Sequence, residues 1–173
     1  MLCEPDGTFD PADLLKLLPF TTDAHVVFGS RTVQTFIWAG ANMGLFLRWG
    51  NWFVAKLIEA SFGTNYLSDV GCTFRVMRRD VVEDLLPRFR LTGSAFGLEL
   101  LMRSVAVRHP FVQVPVRYRA RVGVSSVTGD PTKTVLLGLE MIWLVLRFRF
   151  RPGSLAPRPL AEGRDRRGLP PTR

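Results

Sequence analysis

The apolar positions change their period along the chain, and each change predicts an element. Asp10 as a cap, Pro11 at the first helical position and Asp13 near the positive end predict a helix through Leu18 that stops at Pro19. The unbroken run from His25 to Arg31, ended by Gly29 and Ser30, predicts a buried strand that delivers Ser30 and Arg31 to a sheet edge. From Gln34 to Phe62 bulky apolar residues alternate with Gly40, Gly44 and Gly50, which predicts two short helices. Asp69 to Met77 reads as a loop entering a strand, and Asp80 as the cap of a helix through Leu86. A helix over 95–107, capped by Ser94, places Leu98, Leu101, Met102 and Val105 on one face with Glu99 off its centre. Val112, Val114 and Val116 alternate with Gln113, Pro115 and Arg117, a period of two whose Pro115 predicts an edge strand. Asp130 and Pro131 then start a helix to about Phe148 with Leu136, Leu139, Ile142, Trp143 and Leu146 apolar.

With 173 residues, 47% of them hydrophobic, the chain can bury one domain's core, over residues 1–150. The net charge of +8 implies attraction to anions, and much of it lies in the Arg-, Pro- and Gly-rich segment 151–173, which reads as a basic disordered tail. Nucleic acid is not expected, because the aromatics cluster in apolar helices instead of alternating with Arg on a strand platform. Cys3 and Cys72 have neither metal spacing nor disulfide density; they read as small packing residues in a reducing cytoplasm. The apolar stretches 36–47 and 135–146 are shorter than the roughly 20 residues that cross a bilayer. Trp and Phe beside Arg48 and Lys56 suit a surface resting at a lipid interface, though an ordinary core helix pair reads the same way.

Three segments carry candidate chemistry. Glu4 and Asp6, at i and i+2 around Pro5 and before Gly7, can share a hard cation such as Mg2+ or Mn2+, and the same residues are also common turn and cap chemistry. Asp69 and Arg75 flank a strand entry. The loop 118–129 collects Arg119, Arg121, Ser125, Ser126 and glycines, an inventory suited to phosphate oxygens or to solvent, without the spacing of a nucleotide P-loop.

Taken in order, Glu-Pro-Asp-Gly-Thr-Phe, Gly-Ser-Arg, the segment from Asp69 to Arg75, and Val-Pro-Val-Arg-Tyr-Arg-Ala-Arg-Val-Gly-Val-Ser-Ser make the chain resemble family 2 glycosyltransferases of the GT-A fold. The pattern is nearest to dolichol-phosphate mannose synthase and bacterial polyprenyl-phosphate glycosyltransferases, from residue 4 to about 150. The resemblance implies an α/β fold, a partial Rossmann-like mixed sheet with flanking amphipathic helices. It implies that Glu4 and Asp6 hold the metal against a donor diphosphate, and that Arg31, Arg75, Arg119, Arg121 and Ser125 bind the donor's diphosphate and the acceptor's phosphate. Glu4 replaces the family's commoner Asp, and Cys72-Thr73 is inserted where its Gly and Phe adjoin. The nucleotide-binding βαβ array that precedes the acidic motif in the family has no counterpart in these residues, so the chain is expected to be a fragment, inactive by itself.

The implied reaction is inverting transfer of a sugar from a nucleotide-sugar donor to a polyprenyl phosphate, in an enzyme peripheral to the cytoplasmic face of the membrane. Asp69 is the catalytic candidate; it positions groups if a phosphate attacks and takes the proton if a sugar hydroxyl does. The rival reading is a non-catalytic basic module that binds anions or a partner protein.

Overall fold

Five consecutive buried residues, Val26–Ser30, make β1 the central strand of a three-stranded sheet in the computed structural model of the chain, which describes residues 1–33, 36–37, 45–120, 122 and 131–151. Strand β2, Arg75–Met77, runs antiparallel on one side, with Val27 opposite Val76. On the other side β3, Phe111–Pro115, runs parallel from Val26 opposite Phe111 to Ser30 opposite Pro115. Pro115 closes an edge strand, where its missing N–H leaves no ladder bond unmade. The molecule is a mixed α/β fold with an open mixed sheet and five α-helices among the described residues.

The period of two in β1 sorts the core onto two faces. Val26 and Phe28 pack under helices α2 (Leu45–Phe62), α4 (Ser94–Ala106) and α5 (Pro131–Phe150), with Ile58, Leu101 and Val145 fully buried. Val27 joins Phe9, Leu17, Phe74, Val114 and Tyr118 on the opposite face, where the amino-terminal segment lies. Each fully buried aliphatic side chain contributes about 1.5–3 kcal/mol.

Several expectations are corrected. The expected helix is in part a 3-10 turn, Pro11–Asp13, after which helix α1, Leu14–Leu17, ends just before Pro19; Pro19 stands near the start of a second 3-10 turn, Leu18–Thr22, where its N–H is not needed. Gly50 lies inside α2, a single helix, and the remainder of the expected pair, 34–35 and 38–44, is outside the described residues. Asp80 sits within the first turn of α3 (Arg79–Leu85), which Arg78 precedes as N-cap, and α4 begins after Gly93, at φ 65°. Glu99 is fully buried and pairs with Arg103 at 2.7 Å, while its oxygens also accept the N–H groups of Arg90 and Leu91. That bond set satisfies a charge which burial would otherwise make costly. Cys72 is buried as expected, whereas Cys3 is exposed. Among the described residues no helix is long and apolar enough to cross a membrane. The expected tail lies, after Arg151, outside the described residues.

Candidate functional site

Because β1 and β3 are parallel, their carboxyl ends finish at one edge of the sheet, the edge where α/β sheets usually place ligands. Beyond β1 come Arg31 and Thr32, and beyond β3 come Arg117, Tyr118 and Arg119. Antiparallel β2 enters at this edge, bringing in the loop from Asp69 to Thr73. The amino-terminal segment is tied across it by two antiparallel bridges, Leu2 to Arg75 and Phe9 to Tyr118.

Between those bridges the acidic turn meets the basic loop. The carbonyl of Thr8 accepts from Arg119 N at 2.8 Å, and that of Asp6 from Val122 N at 3.0 Å. Gly7 permits this turn at φ 75°, and a Cβ on it would lie 3.2 Å from Val122 Cγ2. Asp6 Oδ1 accepts from Thr8 N (3.1 Å) and Thr8 Oγ1 (2.6 Å), which fixes the carboxylate. Glu4 is exposed. Burial first, then the charges of Asp6 and Glu4, raise the pKa of the Cys3 thiol, so both carboxylates share its surroundings.

Arg119 donates to Asp10 Oδ2 at 2.6 Å, and Arg117 Nη1 donates to the same oxygen at 3.0 Å. The N–H of Ala12 and then the Arg117 guanidinium hold the Asp10 carboxyl below its ordinary range. Asp13, buried beneath, accepts from Arg117 N at 2.5 Å and faces Lys16 Nζ at 2.7 Å. Asp10 and Asp13, read from sequence as helix-end chemistry, thus aim the basic strand end.

Across the edge Arg31 and Asp69 form a bidentate pair, Nε to Oδ2 at 2.9 Å and Nη2 to Oδ1 at 3.0 Å, while the backbone N–H groups of Arg31 and Gly71 also donate to the carboxylate. Burial alone would raise the pKa of Asp69; the charge and hydrogen bonds of Arg31 overcome it and hold the carboxyl low. Arg31 also lies 5.3 Å from the Tyr118 ring centre. A Cβ on Gly71 would meet Arg31 Nη2 at 2.8 Å and Asn51 Oδ1 at 3.0 Å, so a larger residue would push on the guanidinium end of this pair. With both oxygens engaged and the pKa depressed, Asp69 is placed to hold Arg31 rather than to remove a proton.

Arg75 is not at the anion-facing edge, contrary to expectation. It is 1% exposed, donates to the carbonyls of Cys72 (2.7 Å), Gly97 (2.5 Å) and Val70 (3.4 Å), and lies over Phe28, where burial lowers its pKa to about 10. The core admits it because three carbonyls satisfy its donors. Arg121 and Ser125 lie outside the described residues.

A polar network escaped the sequence reading. Gln113 Oε1 accepts from Ser68 N (2.7 Å) and Ser68 Oγ (3.0 Å), and its Nε2 donates to Asp69 O at 2.6 Å. Ser68 joins Ser30 and Thr32 in a hydroxyl cluster with separations of 2.9–3.1 Å. Its one legible signal was a lone amide inside an apolar strand.

Among the described residues no three His, Cys, Asp or Glu side chains gather as a metal cage. A cation held here would take carboxylate oxygens from Glu4 and Asp6, hard donors that suit Mg2+ or Mn2+. Comparison with protein-family models, curated proteins and solved structures finds no match for the chain.

Proposed function

We propose that the chain carries the acceptor side of a GT-A-type glycosyltransferase, which moves a sugar from a nucleotide-sugar to a polyprenyl phosphate at the cytoplasmic membrane face. The observation that carries this reading is the seam of backbone hydrogen bonds joining the Glu4–Thr8 turn to Arg119 and Val122. It draws the turn that carries Glu4 and Asp6 against the loop that carries Arg119, which supports reading the two segments as the cation-holding and phosphate-holding sides of one site. The cation, when bound, stabilises charge on the departing diphosphate.

This chain's own residues orient the partners. Thr8 fixes Asp6, Asp10 aims Arg119, and Asp69 with Tyr118 and Gly71 holds Arg31. A phosphate monoester has a second pKa near 6, so at neutral pH the attacking oxygen is already an anion and Asp69 need not act as a base. Exposed Trp49, Trp52 and Phe53 on α2, and Leu136, Leu139 and Trp143 on α5, offer an apolar face to the bilayer that holds the acceptor. Lys56 and Arg147 stand over Trp52 and Trp143, where cations reach headgroups.

Mn2+ binding followed by electron paramagnetic resonance, with a nucleoside diphosphate present, tests the acidic turn. Asp6→Asn should weaken Mn2+ binding at least tenfold with the circular dichroism spectrum unchanged; equal Mn2+ affinity in the two proteins sinks the reading. The burial of Arg75 and the full engagement of Asp69 favour a second reading, a non-catalytic anion-binding module. That reading predicts phosphate binding without sugar transfer, even when the chain is joined to a nucleotide-binding half.

A further inference from the structure

Helices α2, α4 and α5 bring their carboxyl ends to a cleft of about 420 Å³ lined by Ser61, Phe62, Gly63, Val105, Arg108 and Arg149. Arg108, just after α4, precedes β3, whose first residue pairs with the first of β1, so the cleft lies toward the amino ends of the parallel strands, apart from the candidate site.

Two features of this cleft are unusual. First, Gly63 and Arg108 both follow helices in the left-handed conformation, at φ 63° and 62°. Glycine is the ordinary residue there, because a side chain in that conformation costs about 1–2 kcal/mol. Arg108 occupies it within a complete cap, its N–H donating to Val105 O and that of His109 to Ser104 O, each at 3.0 Å. Secondly, Arg108 and Arg149 both line the cleft, are exposed, and have no ion pair among the described residues, and no carboxylate lines the cleft with them. The three helix ends, each with roughly half a negative charge, are outweighed by two whole guanidinium charges, which leaves the cleft a small positive surplus.

We propose that this cleft binds a phosphate group, with Arg108 and Arg149 as its two arms and the Ser61 hydroxyl as a further donor. The volume suits a phosphorylated small molecule or a lipid headgroup, and guanidinium forks match phosphate oxygens. Arg108, at a position where glycine would offer no side chain, brings a guanidinium to the cleft. The site is independent of the transferase reading and stands if that reading fails.

Isothermal titration of the full chain with inorganic phosphate and with glycerol phosphate, alongside sedimentation with phosphatidylglycerol vesicles, distinguishes the sources. Arg108→Gln and Arg149→Gln should each weaken binding about tenfold, and Arg79→Gln, a change of equal charge on an exposed helix start, should leave it within twofold. Binding of the soluble phosphates assigns a small ligand; binding confined to vesicles and lost in the Arg108 and Arg149 variants assigns a headgroup. Arg108→Gly serves as the folding control, since it should raise the thermal midpoint while binding is lost. No binding of either kind, or an equal loss in Arg79→Gln, overturns the proposal.

Discussion

The Arg31–Asp69 pair shows how single residues set this site. Asp69 is buried, and truncating one member of a buried ion pair leaves the other uncompensated, typically at about 3–5 kcal/mol. Asp69→Asn should therefore lower the urea midpoint at neutral pH. The sign of the pH effect follows from the lowered pKa of Asp69 in the fold. A carboxyl whose folded pKa lies below its unfolded value of about 4 stabilises the protein above that value, and the contribution is lost as pH falls through the folded pKa. Wild type should lose more stability than Asp69→Asn between pH 5 and pH 2.5, so the two unfolding midpoints converge in acid. Parallel curves over that window would show that Asp69 does not carry the charge its hydrogen bonds imply.

At the scale of elements, β1 is where packing is least forgiving. A Cβ on Gly29 would meet Phe74 O and Cys72 Sγ at 2.9 Å and Val116 Cγ2 at 3.1 Å, and Phe74 O is backbone held by the Gly29 N–H. Gly29→Ala should cost about 1–3 kcal/mol, measured by thermal or urea unfolding, because the central strand must move away from β2; an unchanged midpoint would contradict this register. The sequence revealed β1, β3, α4 and α5 because each carries a clear apolar run or period. Of the two helices expected over 34–62, α2 is one, beginning after Gly44, and Gly50 sits inside it, where a packed face offsets the roughly 1 kcal/mol that an isolated glycine costs. Arg75 and Glu99 were harder to read from the sequence. Charge suggests surface, and only coordinates show carbonyls or a guanidinium waiting to satisfy the group. The meeting of Asp6 with Val122 was legible only as an ordered series of motifs, because long-range backbone pairing leaves no local signature in either segment.

At the scale of the molecule, the two readings of function diverge in how they use the outer face of α5. Leu136, Leu139, Trp143, Leu146 and Phe150 repeat at intervals of three and four and are all exposed, while Leu144, Val145 and Phe148 on the other side fill the core. A contiguous exposed apolar stripe of this kind is a candidate contact surface, and the proposed function assigns it to the membrane. The aromatic and basic make-up of the α2 and α5 surfaces suits the boundary between headgroups and acyl chains, where rings enter and cations stay wet. Sedimentation with vesicles containing anionic lipid should therefore carry the chain down at low salt. Leu139→Ser with Trp143→Ser should weaken that association at least tenfold, the equivalent of about 1.4 kcal/mol, without altering the unfolding midpoint, because neither side chain supports the core. Raising salt should weaken the remaining attraction of the basic chain to the vesicles but not restore the loss, since the two causes are separate. Undiminished sedimentation of the double variant would assign membrane contact to charge alone and remove the apolar face from the acceptor's path.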